Sequence, residues 1–468
     1  MVAQLPVPLR SAVDQWTVGA LASNILWTRF LGPGAIAAAQ RQRFTELARY
    51  ARAHSPYYRN AWSHVPDASF RLVDLPVVTK SGLMDAFDDW STDRGVTLRG
   101  VERFTQSRAH IGELFHGRYI VWTSSGTTGK SGVFVQDAAA LAAYDALVSV
   151  QLMGAVFAGC DWRAAAAQGA RAALVTADCD HFASIASWRR VARGKPWLDM
   201  KSFAVTLPLR DIVAGLNAFR PAFVASYPTV LALLADEQRA GRLRLQPIGM
   251  WSGGEVLSRA AQDAIEEAFG CPLLNEYGAS ECLTIGFGCR EGALHVNADW
   301  VILEPVDHDY RPTPPGELSH TVLLTNLANA VQPVIRYDLG DRVRARGERC
   351  PCGSPLPAIH VEGRCDDVVT FLTREGASVR LPPLALATVV EVAARVYRFQ
   401  IIQRGRDAIS LRLSVGDRER SGQVALRALR RYLDHAGLVH IGLSLDAQEP
   451  LPDVRDGKLR QVIAWRGD

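Results

Sequence analysis

Ser124-Ser125-Gly126-Thr127-Thr128-Gly129-Lys130 puts short hydroxyl side chains, two glycines and a lysine into one run. Such a loop suits phosphate. Glycine lets backbone N–H groups turn inward, serine and threonine add hydroxyl donors, and lysine brings a point charge. It is not a nucleotide loop of the Walker kind, in which four residues separate the glycine from the Gly-Lys pair. Here only Thr127 and Thr128 stand between Gly126 and Gly129-Lys130. The flanks differ too: Tyr119-Ile120-Val121-Trp122 reads as a strand and Gly132-Val133-Phe134-Val135 alternates like a second. A Walker loop opens a helix directly, whereas helical spacing begins here only at residue 138 and runs to 153. On these residues alone, a flexible hairpin tip also fits.

Further segments with chemical potential follow in order. Ser252-Gly253-Gly254-Glu255 closes a buried strand, and Glu276-Tyr277-Gly278-Ala279-Ser280-Glu281 follows the next one. Arg336-Tyr337-Asp338-Leu339-Gly340-Asp341 lies in a β-rich part, Gly363-Arg364-Cys365-Asp366-Asp367 precedes a change of pattern, and Gly457-Lys458-Leu459-Arg460 lies near the C-terminus. Taken singly, each has a plainer role. Tyr277 fits a core, Glu281 a helix start, Asp341 a turn, Arg364 and Asp366 an ion pair, and Lys458 a solvated turn. Their order along one chain is what selects between the readings.

Together these segments resemble the signatures of the AMP-forming adenylate-forming superfamily. Spacing and the Cys350-Pro351-Cys352 segment are most similar to its phenylacetate–coenzyme A ligase branch. The resemblance runs from about residue 45 to the end. It implies a carboxylate attacking the α-phosphate of ATP, with pyrophosphate leaving and an acyl-adenylate formed. Attacker and nucleotide are both anionic, so the site must neutralise charge and align the reacting atoms. By resemblance, Thr127, Thr128 and Lys130 hold the β- and γ-phosphates, in a nucleotide-binding loop shared with Ser125, Gly126 and Gly129. Gly253 and Gly254 let the backbone approach the adenine edge, Tyr277 stacks on adenine, Ser280 touches the α-phosphate, Glu281 binds Mg²⁺, and Glu255 and Gly278 belong to the same nucleotide-binding set. Asp341 accepts the ribose hydroxyls, and Arg364 also reaches the nucleotide. Lys458 spans the attacking carboxylate and the α-phosphate, a task that suits a long side chain with a compact charge. The resemblance further implies that the small C-terminal domain pivots at Asp366, so that Lys458 serves adenylation and withdraws for acyl transfer.

The acyl pocket is expected between the helix after the phosphate loop and the Ala225-Ser226-Tyr227-Pro228 turn, with Tyr144, Tyr227, Trp251 and Ala279 as walls. Aromatic lining and the resemblance favour an aryl or arylacetic acid, although an apolar wall also suits a medium acyl chain. Coenzyme A is the implied acceptor. A carrier-protein thiol or an amine is the alternative. A catalytically silent nucleotide-binding relative is a third reading, opposed by the presence of Lys130, Glu281, Asp341 and Lys458.

Eight cysteines in a chain expected in the cytoplasm argue against a disulfide framework. Cys350-Pro351-Cys352 can present two thiolates to one metal, and Cys289 with His295 can complete a closed Cys3His set for structural Zn²⁺. Cys282 is the substitute ligand, and reduced, unpaired thiols are the alternative. Cys160, Cys179, Cys271 and Cys365 read as small buried residues.

The rest of the chain must position these groups. At 468 residues it has room for two or three domains. Strand and helix signals alternate from residue 171 to 281, which calls for a layered α/β domain with crossover helices, and residues 295–345 read as β-rich. A smaller α+β unit follows. The expected division is therefore an adenylation domain over 1–363 and a small mobile lid domain over 364–468. The first hundred residues read as helical, with Trp16, Leu26, Trp27 and Phe30 on core faces. A net charge of +4 gives no case for nucleic acid. No stretch of eighteen uncharged apolar residues calls for a membrane span; residues 18–39 come nearest but carry Arg29 and Gly32-Pro33-Gly34. The N-terminus lacks an export signal pattern, so the cytoplasm is the expected compartment. The expected partners are ATP, a small carboxylic acid and the acyl acceptor, and a homodimer is allowed.

Overall fold

The structure is a computed structural model. It describes residues 13–66, 71–124, 132–157, 159, 161–167, 169–178, 180–195, 198–362, 368–396, 398–415, 418–451 and 460–465. Its centre is a nine-stranded sheet. Leu273–Ala279, Gly249–Gly253, Phe223–Ser226, Ala172–Thr176 and Met200–Ala204 lie side by side in that order and run parallel. Parallel neighbours need crossover connections. The chain supplies them as the helices Ala183–Gly194, Leu209–Phe219, Pro228–Arg239 and Arg259–Phe269. Helices over such a sheet remove the need for polar alternation, and Val175, Val224, Met250 and Leu273 are all buried. Beyond Leu273–Ala279 the sheet continues antiparallel through Cys282–Gly288, Leu294–Val296, Ala358–Glu362 and Arg342–Ala345. The chain is thus of the α/β class, with a β-rich part after the alternating region.

Local signals set the crossover helices. Arg259–Phe269 starts at Ser258, whose hydroxyl accepts the Ala261 N–H at 3.2 Å, and stops at Gly270 in the left-handed region. Ile265 and Phe269 then bury against the strands at helical spacing.

Three smaller sheets complete the described molecule apart from one hairpin. One joins Leu114–Phe115, Tyr119–Thr123 and Val133–Gln136; another joins Val301–Val306, Thr321–Asn326 and Val334–Asp338. The C-terminal part has the hairpin Val369–Leu372 and Ser378–Leu381, then the helices Pro383–Ala394 and Arg418–His435. These accompany a sheet of Gly442–Leu445, Ala408–Leu413, Phe399–Gln403 and Val462–Ile463. Phe399, Leu386 and Leu429 of this part share one apolar cluster with Val230 and Leu234 of the large α/β part. Arg395 also pairs with Asp180 at 2.7 Å across that junction. The boundary expected at residue 364 and the pivot at Asp366 lie outside the described residues.

Two expectations need correcting. Within the alternating stretch, the apolar run over residues 203–207 reads from sequence as a buried strand, but the strand is Met200–Ala204 and Leu207 is exposed. It is the sheet edge, paired only with Ala172–Thr176, so it tolerates Lys201 and Ser202 where a central strand would not. Trp16, Leu26, Trp27 and Phe30 are exposed rather than core, Trp16 at 87% and Phe30 at 78%. Their helix, Gln15–Phe30, is apolar on more than one side. It buries Ala22 and Ile25 beside Ala146 and Leu147 of the helix Ala138–Phe157, which turns its bulky aromatic side outward. That second helix is apolar and long enough to cross a membrane by length and composition. Here Ala140, Leu141 and Leu147 are core residues and its Asp145 pairs with Arg190 at 2.5 Å.

Candidate active site

The phosphate-loop candidate joins two antiparallel strands, Tyr119–Thr123 and Val133–Gln136, with Thr123 opposite Val133. Its neck is closed twice: Ser124 N–H donates to the Gly132 carbonyl at 2.9 Å, and Gly132 N–H donates to Ser124 Oγ at 3.0 Å. Lys80 Nζ, from the start of the helix Lys80–Asp85, donates to the same Oγ at 3.2 Å. Ser125, Gly126, Thr127, Thr128, Gly129 and Lys130 lie outside the described residues, as do Arg364 and Lys458.

The Tyr277–Glu281 segment is the turn between the central strands Leu273–Ala279 and Cys282–Gly288, whose register shifts between Tyr277 and Ala279. Gly278 is required there, because a Cβ would sit 2.0 Å from the Leu283 carbonyl oxygen. Trp122, on the strand entering the phosphate loop, donates its indole N–H to the Ser280 carbonyl at 2.7 Å. Asn326 holds the other side of the turn through the Glu281 carbonyl at 2.9 Å. The turn is therefore fixed to both smaller sheets of the large part.

Two phenol–carboxylate pairs meet at this turn. Tyr277 donates its hydroxyl to Asp341 Oδ2 at 2.8 Å, and Tyr337 donates to Glu281 Oε1 at 2.6 Å. Burial first, and the neighbouring carboxylate second, push both phenols above their ordinary pKa, so they stay neutral donors. The sequence pointed to Tyr277, Glu281 and Asp341 but missed Tyr337, Trp122, Asn326 and Lys80. Tyr337 lies inside the Arg336–Asp341 segment, so its neighbours carried the only available signal.

Gly254 has φ +81°, and a Cβ there would lie 3.1 Å from the Tyr227 ring. Glu255 Oε2 accepts the Thr229 N–H at 3.1 Å, which satisfies an open donor in the first turn of Pro228–Arg239. Gly253, Gly254, Gly278 and Ser280 then line a cavity of about 1680 Å³. The four expected pocket walls, Tyr144, Tyr227, Trp251 and Ala279, line the same cavity. Tyr227 and Thr176 share a hydroxyl hydrogen bond of 2.6 Å, while Tyr144 accepts from Asn326 at 2.7 Å and lies 3.3 Å from Gln136 Oε1.

Glu276, also at the cavity, was not assigned from the sequence. Trp251 donates its indole N–H to Glu276 Oε2 at 2.9 Å, and burial pushes the carboxyl up to about 7 from 4.5, against the weaker pull of Trp251 and Thr284. A raised carboxyl favours the folded state while protonated. That contribution is complete below pH 4.5 and is lost as pH rises through 7. Glu276→Gln, neutral throughout, is expected to gain roughly 2 kcal/mol over the unmodified protein between pH 5 and pH 8. Urea unfolding of both proteins at the two pH values checks this, and a pH-independent difference contradicts it.

A second cluster lies at the antiparallel end of the sheet. The ligand atoms of Cys289, His295, Cys350 and Cys352 all lie within 4.8 Å of one another. Cys289 and Cys350 Sγ are 3.8 Å apart, matching the edge of about 3.8 Å that Zn–S bonds give a tetrahedron. His295 Nδ1 donates to the Leu356 carbonyl at 3.1 Å, leaving the Nε2 lone pair facing Cys352 Sγ at 3.1 Å. Burial lowers the His295 pKa, which keeps the ring neutral. The donor set fits a closed tetrahedral ion. Cys282, the substitute, is elsewhere: it is buried near Tyr144, and burial raises its thiol to about 12. Cys271 is likewise buried, while Cys160, Cys179 and Cys365 lie outside the described residues.

Comparison with known proteins gives this geometry a context. A 2-hydroxyisobutyryl-CoA ligase, solved with 2-HIB-AMP and CoA in the thioesterification state, is 21% identical, with a TM-score of 0.52 over 92% of this chain and 89% of that one. Its open conformation gives a TM-score of 0.49 at 20% identity, covering 92% of this chain and 91% of that one. Protein CapK of Staphylococcus aureus is 28% identical over 142 residues, a match spanning 30% of this chain and 30% of that protein. Residues 85–317 match the family model described as AMP-binding enzyme, a segment holding the phosphate-loop candidate, Gly253-Gly254 and the Tyr277–Glu281 turn. Over residues 85–317, just under half of its length, this chain is thus similar to the AMP-binding enzyme family.

Proposed function

We propose that the protein activates a carboxylic acid with ATP and passes the acyl group to coenzyme A. A carboxylate oxygen attacks the α-phosphate, the bond to the bridging oxygen breaks and pyrophosphate leaves; the thiol sulfur then attacks the acyl carbon, the acyl C–O bond breaks, and AMP and the thiol proton are released. One observation carries the reading. The Tyr277–Asp341 and Tyr337–Glu281 pairs meet at a turn whose Gly278, Ala279 and Ser280 line a cavity large enough for a nucleotide and an acid, and Trp122 ties that turn to the phosphate-loop strand. Asp341, held by Tyr277, accepts the ribose hydroxyls. Ser280 faces the α-phosphate, and Lys130 with Thr127 and Thr128 grips the leaving pyrophosphate. Glu281 fits Mg²⁺ as an oxygen donor, and the ion would offset phosphate charge there. The family segment supports adenylation, and the solved ligase of this fold, which holds an acyl-adenylate and CoA, supports the acceptor. The aromatic walls favour an aryl or arylacetic acid. Radiolabelled pyrophosphate exchange into ATP across a panel of acids, followed by thioester detection with CoA, tests the whole. Exchange with no acid removes the adenylation step, and exchange without thioester redirects the acyl group to a carrier-protein thiol or an amine.

The Cys289, His295, Cys350 and Cys352 cluster is proposed as a structural Zn²⁺ site, since four protein ligands leave no position for water. Purified protein should contain about one zinc per chain by elemental analysis. Cys350→Ser should lose it and lower the apparent melting temperature by about 5 °C or more, while Cys282→Ser keeps it. Folded, zinc-free protein of unchanged melting temperature ends the proposal.

A further inference from the structure

The two faces of the central parallel strands are not covered alike. Side chains alternate along a strand. Ala173, Val175, Val224, Met250 and Leu273 take one face, and all are buried in one cluster with Leu216, Leu234 and Ile265 of the crossover helices. Leu174, Phe223, Ala225, Trp251 and Leu274 take the other face and line the cavity. Of these only Leu174 is buried; Phe223, Ala225, Trp251 and Leu274 are half-buried in the middle of the sheet. Parallel strands as a rule bury both faces, so an apolar mid-sheet face left partly bare calls for an occupant. The helices Gln15–Phe30 and Ala138–Phe157 roof the groove without filling it, through Val18, Ala22, Leu141 and Val148.

The groove is continuous with the candidate active site. Gly278, Ala279 and Ser280 border it at one end, and Ala172 and Phe223, the first residues of their strands, border it at the other. Phe223 pairs with Gly249 and Met250 with Leu273, which puts Phe223 level with Pro272, six residues before Gly278. At about 3.3 Å per residue, the groove runs about 20 Å back from the turn. A benzoate or phenylacetate occupies only its near end. The pantetheine arm of coenzyme A does not suit it, because its amides would lie over Leu174, Phe223, Ala225 and Leu274, whose side chains offer no hydrogen-bond partner. A second observation agrees. Leu26 lines the groove and is 44% exposed, so the groove opens beside the outward aromatic stripe of Trp16, Trp27 and Phe30. An apolar rim of this kind marks a place that apolar matter crosses.

We propose that this groove is a tail channel and that the acid activated here carries a long apolar tail, either an alkyl chain or a ring extended by one. The carboxylate stays at the Ser280 turn while the tail runs back over Leu274, Ala225 and Phe223 toward Ala172. Extended carbon chains with bonds of about 1.5 Å advance about 1.3 Å per bond, so about 20 Å holds about fifteen carbons. This rests on the adenylating reading above and names its class of acid.

The test is pyrophosphate exchange with straight-chain acids from butanoate to octadecanoate and with 4-alkylbenzoates, each kept below its aggregation concentration. kcat/KM should climb about two- to fourfold per methylene up to about fourteen carbons, mainly through KM for the acid, and then level off. Ala172→Phe, which puts a ring at the far end, should lower kcat/KM for hexadecanoate more than about tenfold and leave octanoate within about twofold. Ala172→Leu makes the same cut more gently if the ring prevents folding, and the profile of the unmodified protein needs no variant. Exchange confined to short acids, or flat with chain length, sinks this inference alone. So does a folded Ala172 variant with an unchanged profile. Long acids that compete with CoA without supporting exchange give the groove to the acceptor and overturn the proposal. Exchange with no acid sinks the adenylating reading and this inference with it.

Discussion

Lys458→Ala is expected to lower carboxylate-dependent pyrophosphate exchange by about three orders of magnitude or more, while acyl transfer from supplied acyl-adenylate to CoA persists within a few-fold. The step brings a carboxylate onto a phosphate that is itself anionic, and repulsion relents only if a cation spans both as the new bond forms. A charge that acts mainly on that developing bond lowers kcat rather than KM. The residues just after Lys458 are well anchored. Val462–Ile463 pairs parallel with Phe399–Gln403, Gln400 Nε2 donates to the Arg460 carbonyl at 3.1 Å, and Gln461 bonds Glu391 at 3.1 Å. Glu391 in turn lines the cavity, so the described C-terminal part already reaches it. Lys458→Arg separates reach from charge, because a planar guanidinium does not present the compact ammonium that two oxygens can share. Synthetic acyl-adenylate gives transfer without adenylation. Equal loss of both half-reactions removes the single-step role.

Much of the fold was legible because its signals are local. The crossover helix Arg259–Phe269 shows its serine cap, its glycine stop and its apolar stripe within a dozen residues, and the parallel strands read as short apolar runs between such helices. The cysteine cluster was legible for another reason: a Cys-Pro-Cys pair admits few partners, and Cys289 with His295 were the spacing that suited it. Long-range pairing was not legible. Tyr337 meets Glu281 across 56 residues, Asn326 meets Tyr144 across 182, and Lys80 meets Ser124 across 44. Each contact depends on which sheets stack, and no periodicity reports that. The exposed aromatics of Gln15–Phe30 fail for the same reason. A helix apolar on several sides does not say which side the neighbour Ala138–Phe157 will take. Glu276 was overlooked because the residues beside it matched a known signature and drew the assignment to themselves. Only the structure shows its carboxyl at the cavity wall, bonded to the Trp251 indole.

Glu281→Gln is expected to reduce exchange about 100- to 1000-fold without unfolding the protein, and the Tyr337 pair is what makes the result interpretable. Glu281 is buried and does two things that a simple deletion would confuse. Its Oε1 accepts the Tyr337 hydroxyl at 2.6 Å, and its charge is proposed to hold Mg²⁺ against the phosphates. Glutamine keeps a carbonyl oxygen for Tyr337 and removes the charge alone, so a large loss belongs to electrostatics and not to a collapsed turn. The Mg²⁺ concentration for half-maximal exchange should rise with it. Tyr337→Phe makes the complementary cut: the charge remains, its fixed donor goes, and the expected loss is about tenfold. The order of the two effects decides the role. If Tyr337→Phe costs as much as Glu281→Gln, and the Mg²⁺ requirement does not move, then Glu281 serves to brace Tyr337 and the turn, and the metal must be held by other oxygens. If Glu281→Gln dominates and shifts the Mg²⁺ requirement, the phenol is a positioning residue: it aims one carboxylate oxygen while the other side of the group meets the ion.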